Sequence, residues 1–330
     1  MGFAIIIVML FHVSLARTSP WFGLRRMGNL GVDIFFFLSG IGLWFSWAKQ
    51  QNYRKFYFNR ALRIYPAWLL IAGYYYISRF RVGHPSYAIP FGGTGNSVVD
   101  SYIDLAGDTL FNWDFWLHDE LTFWYVPATM MMYIFAPLYM QLLRKDRIFM
   151  WLTVLPLMWC IIMMYVVPVH KTVGHIEIFW SRIPIFMLGI NCAEGVRQER
   201  EIGKHTWWMI AALFALSLWS SVWLEQYRHG KFPLYTERML YIVLAITTIV
   251  IMAKVFSKTA NSRFCFINKT FAWIGGVSLE IYLLHVQFVL IPIERNHWGY
   301  WPSFFLTLAI SLPAAWVISK ICGIIIKKLK

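Results

Sequence analysis

Charged residues are scarce in this chain, and long polar stretches are missing. Only 14% of its 330 residues are Asp, Glu, Lys or Arg, compared with about 25% in an average soluble protein. Hydrophobic residues make up 59%, and the mean hydropathy is +0.54. Because no polar segment is long enough to form a soluble domain, the sequence predicts an integral membrane protein with one domain over residues 1–330.

Acidic residues are the rarer charge, with 16 Asp and Glu against 30 Lys and Arg. With the loops placed between the apolar runs, about 19 of the 30 basic residues and only about 4 of the 16 acids fall on one side. This distribution is the positive-inside bias of a multi-pass membrane protein with both termini in the cytoplasm. It argues against a nucleic-acid partner, although the net charge is +14.

Cysteine is also rare, and no CxxC pair occurs, which argues against a thiolate metal site or a redox motif. The histidine and acidic clusters at His170, His175 and Glu177 and at His118-Asp119-Glu120 lack a recognisable metal-ligand spacing. No metal is therefore expected. The four cysteines are Cys160, Cys192, Cys265 and Cys322.

Apolar runs near the ~20 residues needed to cross a bilayer predict an all-α fold with about 10 transmembrane helices. The longest connection between them, residues 79–121, mixes acids with aromatic residues. Such a mixture is typical of sugar-binding surfaces and equally of an amphipathic cap at the membrane interface. The predicted spans lie at about 1–16, 29–47, 64–78, 122–143, 148–167, 179–196, 206–225, 237–255, 271–293 and 303–326.

Two polar residues stand inside the first apolar runs. Asp33 lies in a run rich in phenylalanine and leucine, where a carboxylate is costly unless it faces a partner or a wet cavity. His12 ends the preceding run, and a neutral imidazole can accept a hydroxyl proton while a nearby carboxylate orients the ring. We therefore predict His12 and Asp33 as catalytic residues, the alternative for His12 being a packing role with a bond to a neighbouring carbonyl.

Arg60 and Arg63 follow the second run in the sequence Arg60-Ala61-Leu62-Arg63-Ile64-Tyr65-Pro66. Three residues apart, they lie on one helical face and present two guanidinium groups in one direction, as phosphate oxygens require. The other interpretation is that they anchor the topology on the positive side.

Together these motifs resemble the type-3 membrane acyltransferases, which modify bacterial surface sugars and related acceptors. The resemblance implies an inner-membrane O-acyltransferase that moves an acyl group, with acetyl expected, from cytoplasmic acyl-coenzyme A to a hydroxyl of a surface or lipid-linked glycan. It also allows a handover to a periplasmic or polysaccharide-synthesis partner. The matching stretches are Leu10-Phe11-His12, Gly31–Gly40, Arg60–Pro66, Trp124-Tyr125, Arg182–Gly189 and Ser278–His285.

The donor would then bind at Arg60, Arg63 and Ser39. Ser39 lies on a different helical face from Asp33, because six residues rotate by about 600°, so it suits a ligand passage or close helix packing better than a nucleophile.

The acceptor would bind at Glu120, Trp124, Tyr282 and His285. Tyr282 and His285 share one helical face with Ser278, and Glu280 lies on another. Pure helix packing is the alternative for this face.

One position departs from the family pattern. Where the resemblance leads us to expect an Arg or Lys eleven residues before the histidine, this chain has Met1. Eleven residues return to nearly the same face, ~16 Å along the helix. Two other functions stay open on the sequence alone, namely a transporter or flippase for a glycan intermediate and a structural subunit of a polysaccharide synthesis complex.

Overall fold

The computed structural model describes residues 1–87, 89, 92–199, 201–232 and 238–329. The secondary structure of this part of the chain consists of helices, joined by short irregular segments, and contains no β-strand. The fold class predicted from the sequence is therefore confirmed. The helices are α1 (Gly2–His12), α2 (Phe22–Arg26), α3 (Leu30–Lys49), α4 (Tyr53–Trp68), α5 (Tyr74–Arg79), α6 (Ser97–Phe111), α7 (Trp113–His118), α8 (Tyr125–Lys145), α9 (Val154–Tyr165), α10 (Val167–Val173), α11 (Glu177–Trp180), α12 (Ile183–Arg197), α13 (Lys204–Arg228), α14 (Tyr241–Thr259), α15 (Cys265–Gly276), α16 (Ser278–Leu284), α17 (Ile291–Glu294) and α18 (Tyr300–Leu329).

Seven helical stretches in the described residues are long and apolar enough to cross a membrane, or eight if a bent pair counts as one span. Each of the seven overlaps a predicted span, so the multi-pass character holds. The predicted total of about ten is not confirmed. The seven are Phe22–Lys49, Tyr125–Lys145, Arg147–Tyr165, Val167–Arg197, Lys204–Arg228, Arg238–Thr259 and Tyr300–Leu329.

The three remaining predicted spans differ for separate physical reasons. The first forms α1, which has only 11 residues and rises ~16 Å, about half of the hydrocarbon thickness. The apolar part of 64–78 begins only after the basic half of α4 and continues through a π-helical turn, Leu69–Gly73, into α5. The ninth, 271–293, is a pair of helical segments, Cys265–Gly276 and Ser278–Glu294, bent by 60°.

Helix α3 lies at the centre of the bundle and packs most extensively against α12. Two glycines make this approach possible. A Cβ on Gly40 would lie 2.4 Å from the Phe186 carbonyl oxygen, and one on Gly189 would lie 2.1 Å from the Phe37 carbonyl oxygen. Small residues at a crossing let two membrane helices come together at backbone distance.

The connection 79–121 contains two helices, α6 and α7. Asn112 joins them in the left-handed region, with φ of 49°, a conformation that asparagine tolerates better than most residues. Its side chain bonds on both sides of the joint, accepting from the Tyr76 hydroxyl at 3.0 Å and donating to the Thr122 carbonyl at 2.9 Å. The segment is thus tied to α5 and to the start of α8.

We predict that Gly40→Ala lowers the free energy of unfolding by about 1–3 kcal/mol, because the added methyl group overpacks the crossing of α3 and α12. Gly42→Ala on the same helix is the matched control, since a Cβ there meets nothing within 4 Å. Thermal unfolding in detergent should separate the two variants. Equal melting temperatures would contradict this account of the crossing.

Candidate active site

His12 lies against a second histidine, His285, which is 273 residues away in sequence. The Nε2 atom of His285 is 3.2 Å from Nδ1 of His12, and the ring centroids are 4.9 Å apart at an interplanar angle of 74°. His285 is fully buried. The structure therefore places behind the His12 ring a residue that the sequence assigned to the acceptor site.

The hydrogen bonds assign the tautomers of both rings. Nδ1 of His285 lies 2.9 Å from the Ile281 carbonyl oxygen and 3.0 Å from that of Tyr282, so it carries the proton and Nε2 accepts. Nδ1 of His12 lies between that acceptor and the Val8 carbonyl oxygen at 2.9 Å. It must therefore donate. A neutral His12 is left with its lone pair on Nε2, the form that a general base needs.

The His12 ring borders a cavity of about 320 Å³, called here the histidine cavity. Trp124 and Tyr282, both predicted acceptor residues, also line it. Its polar groups include four residues that the sequence analysis did not select, although two of them lie close to His12 and Asp33 in the chain. These four are Arg26, Asn29, Thr122 and Gln287.

A second cavity of about 460 Å³, the arginine cavity, contains all three predicted donor residues, Ser39, Arg60 and Arg63. Arg60 donates from Nη2 to the Ser46 hydroxyl at 2.9 Å, whereas the Arg63 side chain is exposed. Met1 also lines this cavity. A cation at position 1, as the family pattern has, would add a third positive group to the same wall.

The two cavities lie toward opposite ends of α1, since Met1 borders one and His12 the other, ~16 Å along the helix. Tyr282 lines both of them. Its hydroxyl oxygen accepts a hydrogen bond from the Tyr125 backbone N–H at 3.2 Å, and the two rings lie 5.2 Å apart. These two tyrosines thus form the layer between the cavities.

The chain around Tyr282 is irregular at both ends of α16. The 60° bend lies between Gly276 and Ser278, and a π-helical turn, His285–Leu290, follows α16. Single π turns inside helices often occur at functional sites. Here the turn begins at His285, directly behind the His12 ring.

Asp33 forms a buried ion pair with Arg182. Its Oδ1 is 3.6 Å from Nε of Arg182, and both side chains are almost fully buried. Arg182 also lies over the Trp124 ring at 5.7 Å. The carboxylate predicted to orient His12 thus pairs with Arg182, the residue just before α12. His285 is the group that the structure places against the His12 ring.

A second, partly buried ion pair is formed by Arg238 and Glu177. Arg238 is also within electrostatic range of Asp33. Sequence reasoning selected neither arginine for the site. Two signals were available: the cost of Asp33 in an apolar helix, which required a cationic partner, and the position of Arg182 at the start of the matching stretch Arg182–Gly189.

Glu120 lies away from the histidine cavity. Its Oε1 accepts from the backbone N–H of Thr122 at 3.0 Å and from the Thr122 hydroxyl at 2.6 Å. It lines a different cavity of about 220 Å³, on the side of α6 and α7. Glu120 is connected to the histidine cavity through Thr122, which lines that cavity.

We predict that Asp33→Asn lowers the free energy of unfolding by about 3–5 kcal/mol, because a buried arginine loses its counter-ion. The double variant Asp33→Asn with Arg182→Gln should lose less than the sum of the two single variants, since the second change removes the unpaired charge. Thermal unfolding of the three variants measures this coupling. Additive losses would show that the pair is not an energetic unit.

Comparison with known proteins agrees with the motifs. No curated protein and no solved structure matches the chain. Residues 2–320 match a family model described as an acyltransferase domain, which is nearly the whole sequence. The chain therefore belongs to the type-3 acyltransferase family of membrane proteins.

Proposed function

We propose that the protein transfers an acyl group, with acetyl expected, from acyl-coenzyme A to a hydroxyl of a surface or lipid-linked glycan. The observation that carries the proposal is the position of His12, which has its lone pair on Nε2 at the wall of a cavity that several polar side chains also line. A second, cationic cavity lies beyond the Tyr282 layer. Such an arrangement suits two substrates that approach from opposite sides.

The donor belongs in the arginine cavity. Arg60 and Arg63 carry the positive charge that coenzyme A phosphates require, and guanidinium groups bind phosphate oxygens by charge-assisted, often bidentate hydrogen bonds. Ser39 and Tyr133 supply further polar groups on the same wall. The pantetheine arm would extend from here toward Tyr282 and carry the thioester to His12.

The acceptor belongs in the histidine cavity. Nε2 of His12 takes the proton of the acceptor hydroxyl as its oxygen attacks the thioester carbonyl, so that a C–O bond forms and the C–S bond breaks. The proton on His12 then passes to the departing thiolate. The Val8 carbonyl oxygen and Nε2 of His285 both accept from the Nδ1–H of His12, which holds the ring in one tautomer.

Tyr282 can assist at the carbonyl. Its oxygen already accepts from the Tyr125 N–H, so its own O–H is able to donate to the negative charge that develops on the thioester oxygen. Arg26, Asn29 and Gln287 supply donors and acceptors for sugar hydroxyls. In this arrangement the enzyme lies in the inner membrane, with the arginine cavity on the cytoplasmic side.

His12→Ala should lower acyl transfer roughly 10²–10⁴-fold, because the general base is lost. The measurement is mass spectrometry of surface glycans together with transfer assays on the purified protein. His205→Ala is the matched control, since His205 lies in the first turn of α13 with an exposed side chain. Loss of glycan export in His12→Ala, with the glycans that remain still acylated, would support a transporter instead.

Two substitutions at His285 test whether its hydrogen bond to His12 contributes to catalysis. His285→Gln retains an acceptor for the Nδ1–H of His12 and should keep more activity than His285→Ala. Equal activities for the two variants would remove the hydrogen bond from the mechanism.

For the donor site, Arg60→Lys and Arg63→Lys should each raise the apparent KM for acyl-coenzyme A several-fold with little change in kcat. Lysine keeps the charge but cannot form the two-pronged contact with phosphate. Arg54→Lys on the same helix is the control, because Arg54 is exposed and lies outside the cavity lining. If all three variants have the parent's KM, the pair serves only as a topological anchor.

A further inference from the structure

A cavity of about 810 Å³, called here the apolar cavity, lies along α1. Phe3, Ile7 and Leu10 form its α1 side, and these residues share one helical face. Side chains from α13, α14, the segment 15–30 and the start of α18 complete the wall. The three α1 residues extend over ~10 Å along the helix, so the cavity follows most of the length of α1.

The wall of the apolar cavity is charged at one place. Among the described residues, Arg25 is the only charged one in the lining. Trp21 and Leu24 lie beside it in the chain, and Trp301 follows Tyr300, which is within electrostatic range of Arg25. Trp21, Leu24 and Trp301 are exposed and form an open rim, and tryptophan is enriched where membrane meets water. The cavity thus combines a cationic mouth with an apolar interior.

Arg25 has hydrogen-bonding capacity left for a ligand. Its Nη1 donates to the Val13 carbonyl oxygen at 2.8 Å, whereas its Nε is buried without a hydrogen-bond partner. The guanidinium lies 5.6 Å from the Phe11 ring centroid and 5.3 Å from that of Phe22. The side chain is only partly buried, so an anion that enters the cavity can reach it. Guanidinium groups bind phosphate oxygens by charge-assisted hydrogen bonds.

The nearest carboxylates are bonded to other groups. Glu225 and Glu294 are within electrostatic range of Arg25. Glu225 pairs with Arg26 at 3.1 Å, and Glu294 accepts hydrogen bonds from the backbone N–H and the hydroxyl of Ser14. Within the described part of the chain, neither acid forms a salt bridge with Arg25. The position of Arg25 in the cavity wall therefore suits an added anion.

The apolar cavity and the histidine cavity meet at Phe11. The Phe11 ring lines the histidine cavity, and the guanidinium groups of Arg25 and Arg26 lie 5.6 Å and 5.0 Å from its centroid. Arg25 lines the apolar cavity, whereas Arg26 lines the histidine cavity. Leu10, two residues before His12, also lines the apolar cavity. A group attached to an anion at Arg25 would therefore have a short route to His12.

We propose that the apolar cavity binds the lipid part of the acceptor, a long hydrocarbon chain that carries the glycan through a phosphate group. The chain would lie along α1, the phosphate at Arg25, and the first sugars would extend past Phe11 toward His12. Burial of the chain would supply affinity, and Arg25 would position the phosphate. This inference rests on the proposed function and narrows its acceptor to a lipid-linked glycan.

The first measurement is the binding of a long-chain isoprenyl phosphate, without sugar, to the full chain in phosphatidylcholine nanodiscs. Arg25→Gln should weaken binding about tenfold or more, because a hydrogen-bonded charge is lost. The corresponding isoprenol should bind the parent more weakly and should not distinguish Arg25→Gln from it. Arg17→Gln is the matched control, since Arg17 is exposed and lies outside the cavity lining.

A second pair of variants tests the apolar interior without a change in charge. Leu218→Trp should fill part of the cavity and weaken binding of both the isoprenyl phosphate and the isoprenol. Leu216→Trp on the same helix should bind like the parent, because Leu216 is exposed and lies outside the lining. Thermal unfolding of the variants, measured without added lipid, identifies any loss of binding that comes from misfolding.

Acyl-transfer assays in the same nanodiscs separate this inference from the proposed function. The isoprenyl phosphate should compete with a lipid-linked glycan acceptor, and phosphatidylglycerol should not. Equal binding by the parent and Arg25→Gln, equal inhibition by phosphatidylglycerol, or binding without competition would overturn the inference and leave the cavity to ordinary membrane lipid. Acyl transfer measured in those samples would still support the proposed function. Absence of transfer to every acceptor, with Arg25-dependent binding retained, would instead refute the proposed function and with it the acceptor role of the lipid.

Discussion

Charge that is buried in the membrane has to be paired, and the pair between Asp33 and Arg182 is where this constraint acts on the fold. It joins α3 to the start of α12, the two helices that pack most extensively. Gly40 and Gly189 allow the backbones to meet farther along. The register of α3 is fixed by these contacts. The same helix therefore presents Ser39 to the arginine cavity, while Asn29, just before its start, lines the histidine cavity.

The histidine pair depends on irregular helix geometry. The bend before Ser278 and the π turn that starts at His285 place Tyr282 between the cavities and His285 behind His12. Departures from regular helix at membrane depth are tolerated where backbone lines a cavity or is covered by protein. Here they orient His285 through the Ile281 and Tyr282 carbonyls, and together with the Val8 carbonyl His285 leaves the lone pair of His12 on Nε2.

The arginine cavity and the segment that contains α6 and α7 carry opposite charges. Arg60 and Arg63, proposed to bind the donor, have the buried Glu280 within electrostatic range of Arg63, whereas α6 and α7 concentrate carboxylates around Asp108. Thr122 connects the two regions, because its backbone N–H and hydroxyl donate to Glu120 and its side chain lines the histidine cavity.

The sequence by itself determined the helical class, the family and several residues of the two cavities, such as His12 and Arg60, because apolar run length and local motifs such as Arg60–Pro66 are properties of neighbouring residues. It could not identify which residues of distant helices are in contact. Tertiary structure alone decided that His12 meets His285 and that Asp33 meets Arg182. It also decided the span count at α1 and brought Asp114 to Asp104 and Asp108. The physical reason is that helical periodicity states which face of a helix is buried, whereas the partner of that face depends on how distant helices pack.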